Sequence, residues 1–412
     1  MHIKMGNNYE DNSLGGDNME KAKYLIIGNG IAGLAAAREI RSNSEEGTII
    51  MVSNEPTLTY YRVKLTEYIS KDFVDEDLLV SKENWYQDKN IKVMLRKFVE
   101  DIDVINNKVR LDDGQVIEYE KLLIATGSRP FIPPINGKYQ EGVFALRTLK
   151  DLHYIKDYMK SCEDVSVIGG GLLGLEAAWS LKQSGKNVSI IEFAPYLLPR
   201  QLDKEIANKL EEKLSSTGFK VYLSSQAEEI TGEGKAIGIR LNGERNIKAD
   251  AILVSSGIRP NLDLVRDTTI EYDKGIKVDK HLKTNIDNVY AAGDVVEIEG
   301  MVLGLWTAGN EQGKVAGANM AGKELEYNQP KIFTTLQIGS IELFSAGIIN
   351  DFDKVYEYKD EKGDIHHKIF TKDGKIVGVI LFGDLKEVNA LRNAVISNMD
   401  VNEYIEKDRR FK

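Results

Sequence analysis

Lys23-Tyr-Leu-Ile-Ile27-Gly28-Asn29-Gly30-Ile31-Ala32-Gly33-Leu34-Ala35-Ala36-Ala37 decides the fold: a short apolar strand enters three glycines at G-x-G-x-x-G spacing, and a helix of small residues leaves them. The first glycine makes the strand-to-helix turn, the second lets a pyrophosphate approach the backbone, and the third lets helix and strand pack closely. The pyrophosphate then rests on N–H groups at the helix N-terminus. The pattern recurs 141 residues later, where Val165 to Ile168 lead into Gly169-Gly170-Gly171-Leu172-Leu173-Gly174 and then Leu175-Glu176-Ala177-Ala178. In each copy the next strand ends in an acid, Glu55 after Ile49-Ile50-Met51-Val52 and Glu192 after Val188-Ser189-Ile190-Ile191. That is the offset at which a carboxylate bonds ribose hydroxyls, so two dinucleotides are expected on one chain.

Other segments repeat too. Lys121-Leu-Leu-Ile-Ala-Thr-Gly-Ser-Arg-Pro130 resembles Ala251-Ile-Leu-Val-Ser-Ser-Gly-Ile-Arg-Pro260, with Gly127 and Gly257 separated by 130 residues. The whole unit reads as duplicated. Each copy runs from glycine cradle through acidic strand end and a β-rich stretch to a buried strand ending in a small-residue turn, which faces ligand in such sheets. A further short strand, ending Tyr290-Ala-Ala-Gly293-Asp294, follows the second copy and is assigned back to the first domain. Gly304 to Gly322 reads as a small-residue helix starting near Thr307, its N-terminus a source of positive potential. Roughly the last 85 residues alternate apolar and polar side chains, with turns at Lys372-Asp-Gly374 and Glu361-Lys-Gly363, before a closing helix from about Lys386.

At 412 residues and 42% hydrophobic content the chain exceeds one core. The net charge of -10 argues against nucleic acid and anionic membranes as partners. No apolar run is long enough to span a membrane and no signal-peptide core opens the chain, so a cytoplasmic location is expected. Residues 1–21 read as a disordered extension, with Met19 a candidate start. The single cysteine, Cys162, excludes an intrachain disulfide, an iron-sulfur ligand set and a four-thiolate metal site. His366 and His367 are neighbours on a strand and so point to opposite faces, and no metal is expected.

From Lys23 onward these residues resemble the flavoproteins of the pyridine nucleotide-disulfide oxidoreductase superfamily. Within it, Tyr60-Tyr-Arg-Val-Lys-Leu-Thr-Glu67 and Leu198-Pro-Arg-Gln-Leu-Asp203 are similar to the NADH:rubredoxin reductases and the N-terminal regions of nitrite reductases. Val63 stands where Pro is usual, which implies a less rigid loop. The resemblance implies an α/β fold of two Rossmann-like domains, glutathione reductase-like, with the NAD domain inserted in the FAD domain and a small C-terminal α+β domain. The expected boundaries are 22–147 and 285–325 for FAD, 148–284 for NAD, and 326–412 for the last domain.

The resemblance places FAD on Gly28, Gly30, Ile31, Ala32 and Gly33, with Glu55 on the adenosine ribose, Arg62 near the phosphates or flavin, and Val99 near adenine. Ala125, Thr126 and Gly127 line the same nucleotide, Gly293 and Asp294 take the ribityl chain, and Trp306 and Thr307 start the helix aimed at the flavin, with Thr307 its cap. NADH falls to Gly169, Gly171, Leu172, Leu173 and Gly174, with Glu176 and Gly257 at the nicotinamide end. Glu192 favours NADH over NADPH, because a carboxylate bonds ribose hydroxyls but repels a 2′-phosphate, and no Arg or Lys follows it until Arg200. Glu67 stands where many relatives place Lys. With Glu176 it makes a candidate catalytic pair, in which like-charge repulsion raises one pKa.

Disulfide reductases of this superfamily carry a cysteine pair beside the flavin, and peroxidases and coenzyme A-disulfide reductases a single early cysteine; this chain has neither. Electrons from NADH therefore leave the flavin directly. A flavin accepts two electrons together and releases them singly, so the expected acceptor is rubredoxin or another small iron-sulfur carrier. An NADH oxidase, an electron-input module of a nitrite reductase-type complex, and a non-enzymatic FAD/NAD sensor stay open. A monomer is favoured over a dimer.

Overall fold

The computed structural model describes residues 19–408, 410 and 411, so most of the expected extension lies outside the described residues. Its last two residues do not extend: Glu20 and Lys21 belong to the strand Glu20–Ile27, pairing with Ile117 and Glu118. Contacts gather the chain into two compact units. One holds the residues up to Tyr60, Ser81–Gly127 and Pro260–Tyr327, the other Tyr61–Val80, Ser128–Arg259 and Asn328 onward.

In the first unit five parallel strands lie in the order Ile91–Met94, Ile49–Val52, Glu20–Ile27, Val116–Ile124 and Val289–Ala291. Val116–Ile124 is long enough to serve two partners on its far side. Its beginning pairs antiparallel with Lys108–Leu111, which continues the meander to Val99–Asp103, and its end pairs with Val289–Ala291. The strands are continuous aliphatic runs because both faces are covered. Leu25, Ile117 and Val289 are wholly buried in one core, each side chain contributing about 1.5–3 kcal/mol.

The second unit repeats the plan. Lys220–Tyr222, Asn187–Ile191, Asp164–Ile168, Ala251–Val254 and Val143–Phe144 form a parallel sheet, accompanied by the antiparallel meander Ala227–Thr231, Gly238–Leu241 and Asn246–Lys248. The difference lies at the fifth position: the first sheet is completed by a strand far downstream of its cradle, the second by a strand preceding its cradle. This unit also carries a five-stranded antiparallel sheet, in the order Phe333–Ile338, Ile341–Gly347, Lys375–Phe382, His366–Lys372 and Lys354–Lys359. The helices Val388–Ser397 and Val401–Lys407 pack on it through Leu391, Val395 and Tyr404. The closing helix expected from about Lys386 is thus two, divided by Asn398 in the left-handed region.

Two boundaries fall elsewhere than expected. The return to the first unit starts at Pro260 rather than 285, because Val265, Ile270 and Ile276 bury in the same core as Leu25 and Val289. Tyr61–Val80 joins the second unit, where the Lys156 ammonium of the helix Leu149–Met159 donates to the carbonyls of Tyr68, Ile69 and Lys71. No helix among the described residues is long and apolar enough to cross a membrane.

Candidate functional site

The two glycine cradles are built alike. Gly28 N–H donates to Val52 O and Gly169 N–H to Ile191 O, both at 2.8 Å, while Ala125 and Ser255 tie the neighbouring strand to Ile27 O and Ile168 O at 2.8 Å. A Cβ on Gly28 would meet Ala125 O at 2.1 Å and one on Gly169 would meet Ser255 O at 2.2 Å, and both residues have positive φ. A Cβ on Gly33 or Gly174 would lie 2.1 or 2.0 Å from the carbonyl of the first glycine of its own cradle. Protein packing therefore accounts for the first and third glycine of each motif.

It does not account for the middle one. A Cβ on Gly30 or Gly171 would touch no protein atom within 4 Å, and both residues have ordinary extended backbone. These glycines cap the helices Ile31–Asn43 and Leu172–Gln183 without offering a side-chain hydrogen bond, whereas Thr148 and Asp203 do cap the helices that follow them. Bare helix N-termini beside residues kept small for no internal reason fit dinucleotide pyrophosphates.

The first unit assembles the expected FAD residues from separate segments. Gly293, with φ +89°, sits so that its Cβ would meet Ala32 Cβ at 3.1 Å, bringing the Gly293-Asp294 turn onto the first turn of the cradle helix. The helix Trp306–Met320 lies along the same helix through glycines four apart: a Cβ on Gly313 would strike Ala32 O at 2.2 Å and one on Gly317 would strike Ala36 O at 2.5 Å. Its cap is Leu305, extended at φ -113°, so Thr307 is the second helical residue and does not cap it. Buried Gln312 accepts from Gly293 N–H at 2.8 Å and fixes that turn. Tyr60 donates to Glu55 Oε2 at 2.7 Å, while Arg96 and Lys97 N–H bond Glu55 O and Ser53 O, leading the chain to buried Val99. Asn29 is fixed by its own amide on Thr57 O and by the Thr59 hydroxyl at 2.5 Å. Thr126 and Asn261 bond each other's chain, Thr126 Oγ1 to Asn261 O at 3.2 Å and Asn261 Nδ2 to Thr126 O at 2.8 Å. Arg62 belongs to the second unit, where its guanidinium donates to Arg147 O.

In the second unit Glu192 turns back on its cradle. Its Oε2 accepts from Gly170 N–H at 2.6 Å and its Oε1 from Ala194 N–H at 2.7 Å, which fixes the carboxylate. Leu173, in the first turn of the cradle helix, and Phe193, next in sequence to Glu192, are apolar side chains 52% and 72% exposed; nothing in the motif singled out Phe193. Gly257, at φ +98°, lies between the strands Ala251–Val254 and Ile258–Pro260.

Glu176 is half-buried, and burial raises its pKa above the ordinary 4.5. The Thr66 hydroxyl, bonded to its Oε2 at 3.2 Å, opposes that rise, and the charge of Glu67 adds to it as the weakest of the three effects. The expected repulsion between Glu67 and Glu176 is thus a minor cause. Glu67 pairs with Lys71, one helical turn on, and its side chain is 49% exposed. Thr66 was legible only as part of the quoted segment, and Lys156 carried no sequence signal. Cys162 is buried, and burial pushes its thiol upward, so it is no reactive thiolate.

Comparison with known proteins agrees with this geometry. Residues 22–318 match the family described as pyridine nucleotide-disulphide oxidoreductase, and residues 333–399 match the rubredoxin NAD+ reductase C-terminal domain. The chain is 36% identical over 389 residues to a nitrite reductase [NAD(P)H] of Bacillus subtilis, covering 93% of this chain but 48% of that one, so it spans about half the length of that relative. It is 34% identical to the NADH-rubredoxin oxidoreductase of Clostridium acetobutylicum, covering 92% of this chain and 96% of the relative. The crystal structure of that NADH:rubredoxin oxidoreductase superposes with a TM-score of 0.77 over 92% of this chain and 96% of the other, at 32% identity. An NADH oxidase of Methanocaldococcus jannaschii is 32% identical over 92% of each chain. With both glycine cradles formed and the family's pattern running from Ala22 to Ala318, the chain belongs to the pyridine nucleotide-disulphide oxidoreductase family and carries the C-terminal domain of rubredoxin NAD+ reductases.

Proposed function

We propose that this chain is an NADH-dependent FAD flavoprotein reductase that delivers single electrons to rubredoxin or a similar small iron-sulfur carrier. The observation that carries the reading is the pair of uncapped cradles in a chain whose one thiol is buried. Bound flavin supplies two-electron acceptance from NADH and one-electron release.

The residues do the rest by binding and orientation. Gly30 and Gly171 keep the pyrophosphate paths clear, and the following backbone N–H groups neutralise phosphate charge. Glu55 and Glu192, each held by hydrogen bonds, take the ribose hydroxyls, and Glu192 sets the preference for NADH. The start of the helix Trp306–Met320 directs positive potential at the flavin ring, stabilising negative charge there. Glu176, its pKa raised by burial, lies at the nicotinamide end, and Thr66 orients it. Support for the carrier comes from the rubredoxin NAD+ reductase C-terminal domain and the Clostridium relative of nearly equal length.

The test is anaerobic reduction of the flavin-loaded protein by one equivalent of NADH, followed by reoxidation with rubredoxin, with oxygen, or with neither. Rubredoxin reoxidising the flavin much faster than oxygen supports the reading. Oxygen winning favours an oxidase, the second reading, for which the Methanocaldococcus relative speaks. A long-lived reduced complex that neither acceptor discharges would indicate a sensor.

A further inference from the structure

The C-terminal sheet carries a charged group that the dinucleotide sites do not use. Glu357 pairs in register with Lys368 and Lys359 with His366, so strand alternation puts these four side chains on one face. The helix Lys204–Ser216 brings Glu205 in its first turn, and its cap Asp203, to the same place. Lys368, 6% exposed, lies 2.7 Å from Asp203 Oδ2, 2.6 Å from Glu205 Oε2 and 3.1 Å from Glu357 Oε1. Lys359, 43% exposed, bridges the other oxygens, at 2.8 Å from Glu205 Oε1 and 3.2 Å from Glu357 Oε2.

His366 borders this second bridge and is wholly buried, yet neither of its ring nitrogens has a hydrogen-bond partner. Its Nε2 is 3.6 Å from Glu357 Oε2, beyond hydrogen-bonding reach. A buried imidazole with neither nitrogen bonded gives up its hydration without replacement, and such a group calls for an explanation. One ligand atom each from Glu205, Glu357 and His366 lies within 4.8 Å of the others.

We propose that Glu205, Glu357 and His366 bind a divalent transition-metal ion of the zinc type, at the place the Lys359 ammonium occupies. One imidazole and two carboxylates are a zinc-like donor set, with water as the fourth ligand. The charges close: Asp203 balances Lys368, leaving two glutamate charges for a doubly charged ion. Lys368 holds the far oxygens and so aims the near ones, as groups behind metal ligands do. Lys359 can swing into solvent. The ion would fasten the first turn of the helix Lys204–Ser216 to two strands of the C-terminal sheet, a structural role. His367, on the opposite face against Tyr358 and Phe411, takes no part, so strand alternation rules out the pair of histidines but not this site.

Flavin-loaded full-length protein, stripped with a chelator, is titrated with zinc ion and, separately, magnesium ion. Metal content after gel filtration and the Tm are read. About one zinc per chain with a raised Tm is expected, with no retention of magnesium. His366→Gln should weaken zinc binding at least ~10-fold. Lys359→Ala changes a side chain open to solvent, should fold, and should bind zinc more tightly because the competing ammonium is gone. Equal zinc affinity in the wild type and His366→Gln, or an affinity that Lys359→Ala leaves unchanged or lowers, overturns the proposal.

Discussion

Thr66 and Glu176, 110 residues apart in sequence, meet through a 3.2 Å hydrogen bond from the threonine hydroxyl to the carboxylate. Glu176 titrates above its ordinary 4.5 because burial disfavours the charged form, so the folded chain keeps a proton that the unfolded chain has released. The resulting stabilisation is complete below pH 4.5 and is lost as pH rises through the raised value. Glu176→Gln, uncharged at every pH, should therefore gain stability relative to the wild type as pH rises. Thr66→Val removes the bond that favours the carboxylate and should move the alkaline side of the transition further up. Denaturant melts across the pH range check both, and an unchanged profile in Thr66→Val would contradict the assignment.

The middle glycines separate packing from binding. Gly30→Ala and Gly171→Ala place a methyl where no protein atom lies within 4 Å, so unfolding free energy should stay within about 0.5 kcal/mol of the wild type. Gly30→Ala should nevertheless weaken FAD retention, and Gly171→Ala should raise KM for NADH, each at least ~10-fold, a loss of about 1.4 kcal/mol. Gly33→Ala forces a methyl to 2.1 Å from Gly28 O and should cost at least about 1–3 kcal/mol of stability. Denaturant titration beside flavin content and NADH kinetics separates the two effects.

Much of this was legible because it is local. The cradles, the acids at the strand ends and the return of Val289–Ala291 to the first sheet follow from residue types at fixed offsets, and the repeated unit doubles each signal. The stretch from Gly304 to Gly322 was readable as a small-residue helix, though not the face by which Gly313 and Gly317 meet Ala32 and Ala36. What the sequence hid is side-chain contact over long separations. Gln312 on Gly293, Lys156 on the 68–71 carbonyls and Lys71 on Glu67 have no spacing rule, and beside the last of these Glu67 is only a minor cause of the raised Glu176 pKa. The cap on the helix Trp306–Met320 went to Leu305 because backbone extension, rather than a hydroxyl, starts that helix.

Glu192 predicts nucleotide choice. Its two oxygens are fixed by Gly170 and Ala194 N–H groups, so the charge cannot turn away from a 2′-phosphate. Like-charge juxtaposition costs several kcal/mol, and kcat/KM for NADH should exceed that for NADPH by roughly 100-fold. Glu192→Gln keeps the shape without the charge and should narrow the ratio mainly by improving NADPH. Steady-state kinetics with both nucleotides decide it; a higher kcat/KM for NADPH in the wild type would refute this role.

Lys156 makes the last prediction, because it fastens the segment that carries Thr66 and Glu67. Its ammonium donates to Tyr68 O at 3.0 Å, Ile69 O at 3.2 Å and Lys71 O at 2.5 Å, and burial lowers its pKa. Three carbonyls around one cation replace the water that the cation gives up, so the net loss on removing the ammonium is far smaller than the sum of three isolated bonds. Lys156→Met keeps the stem and removes all three donors, so the Tyr61–Val80 segment should loosen and Thr66 should lose its hold on Glu176. Stability should fall by about 1–3 kcal/mol, and the pH profile should shift in the same direction as in Thr66→Val. Combining the two substitutions should then shift the profile no further than Thr66→Val alone, since both act on one bond. Additive shifts would show that Lys156 acts elsewhere than through Thr66.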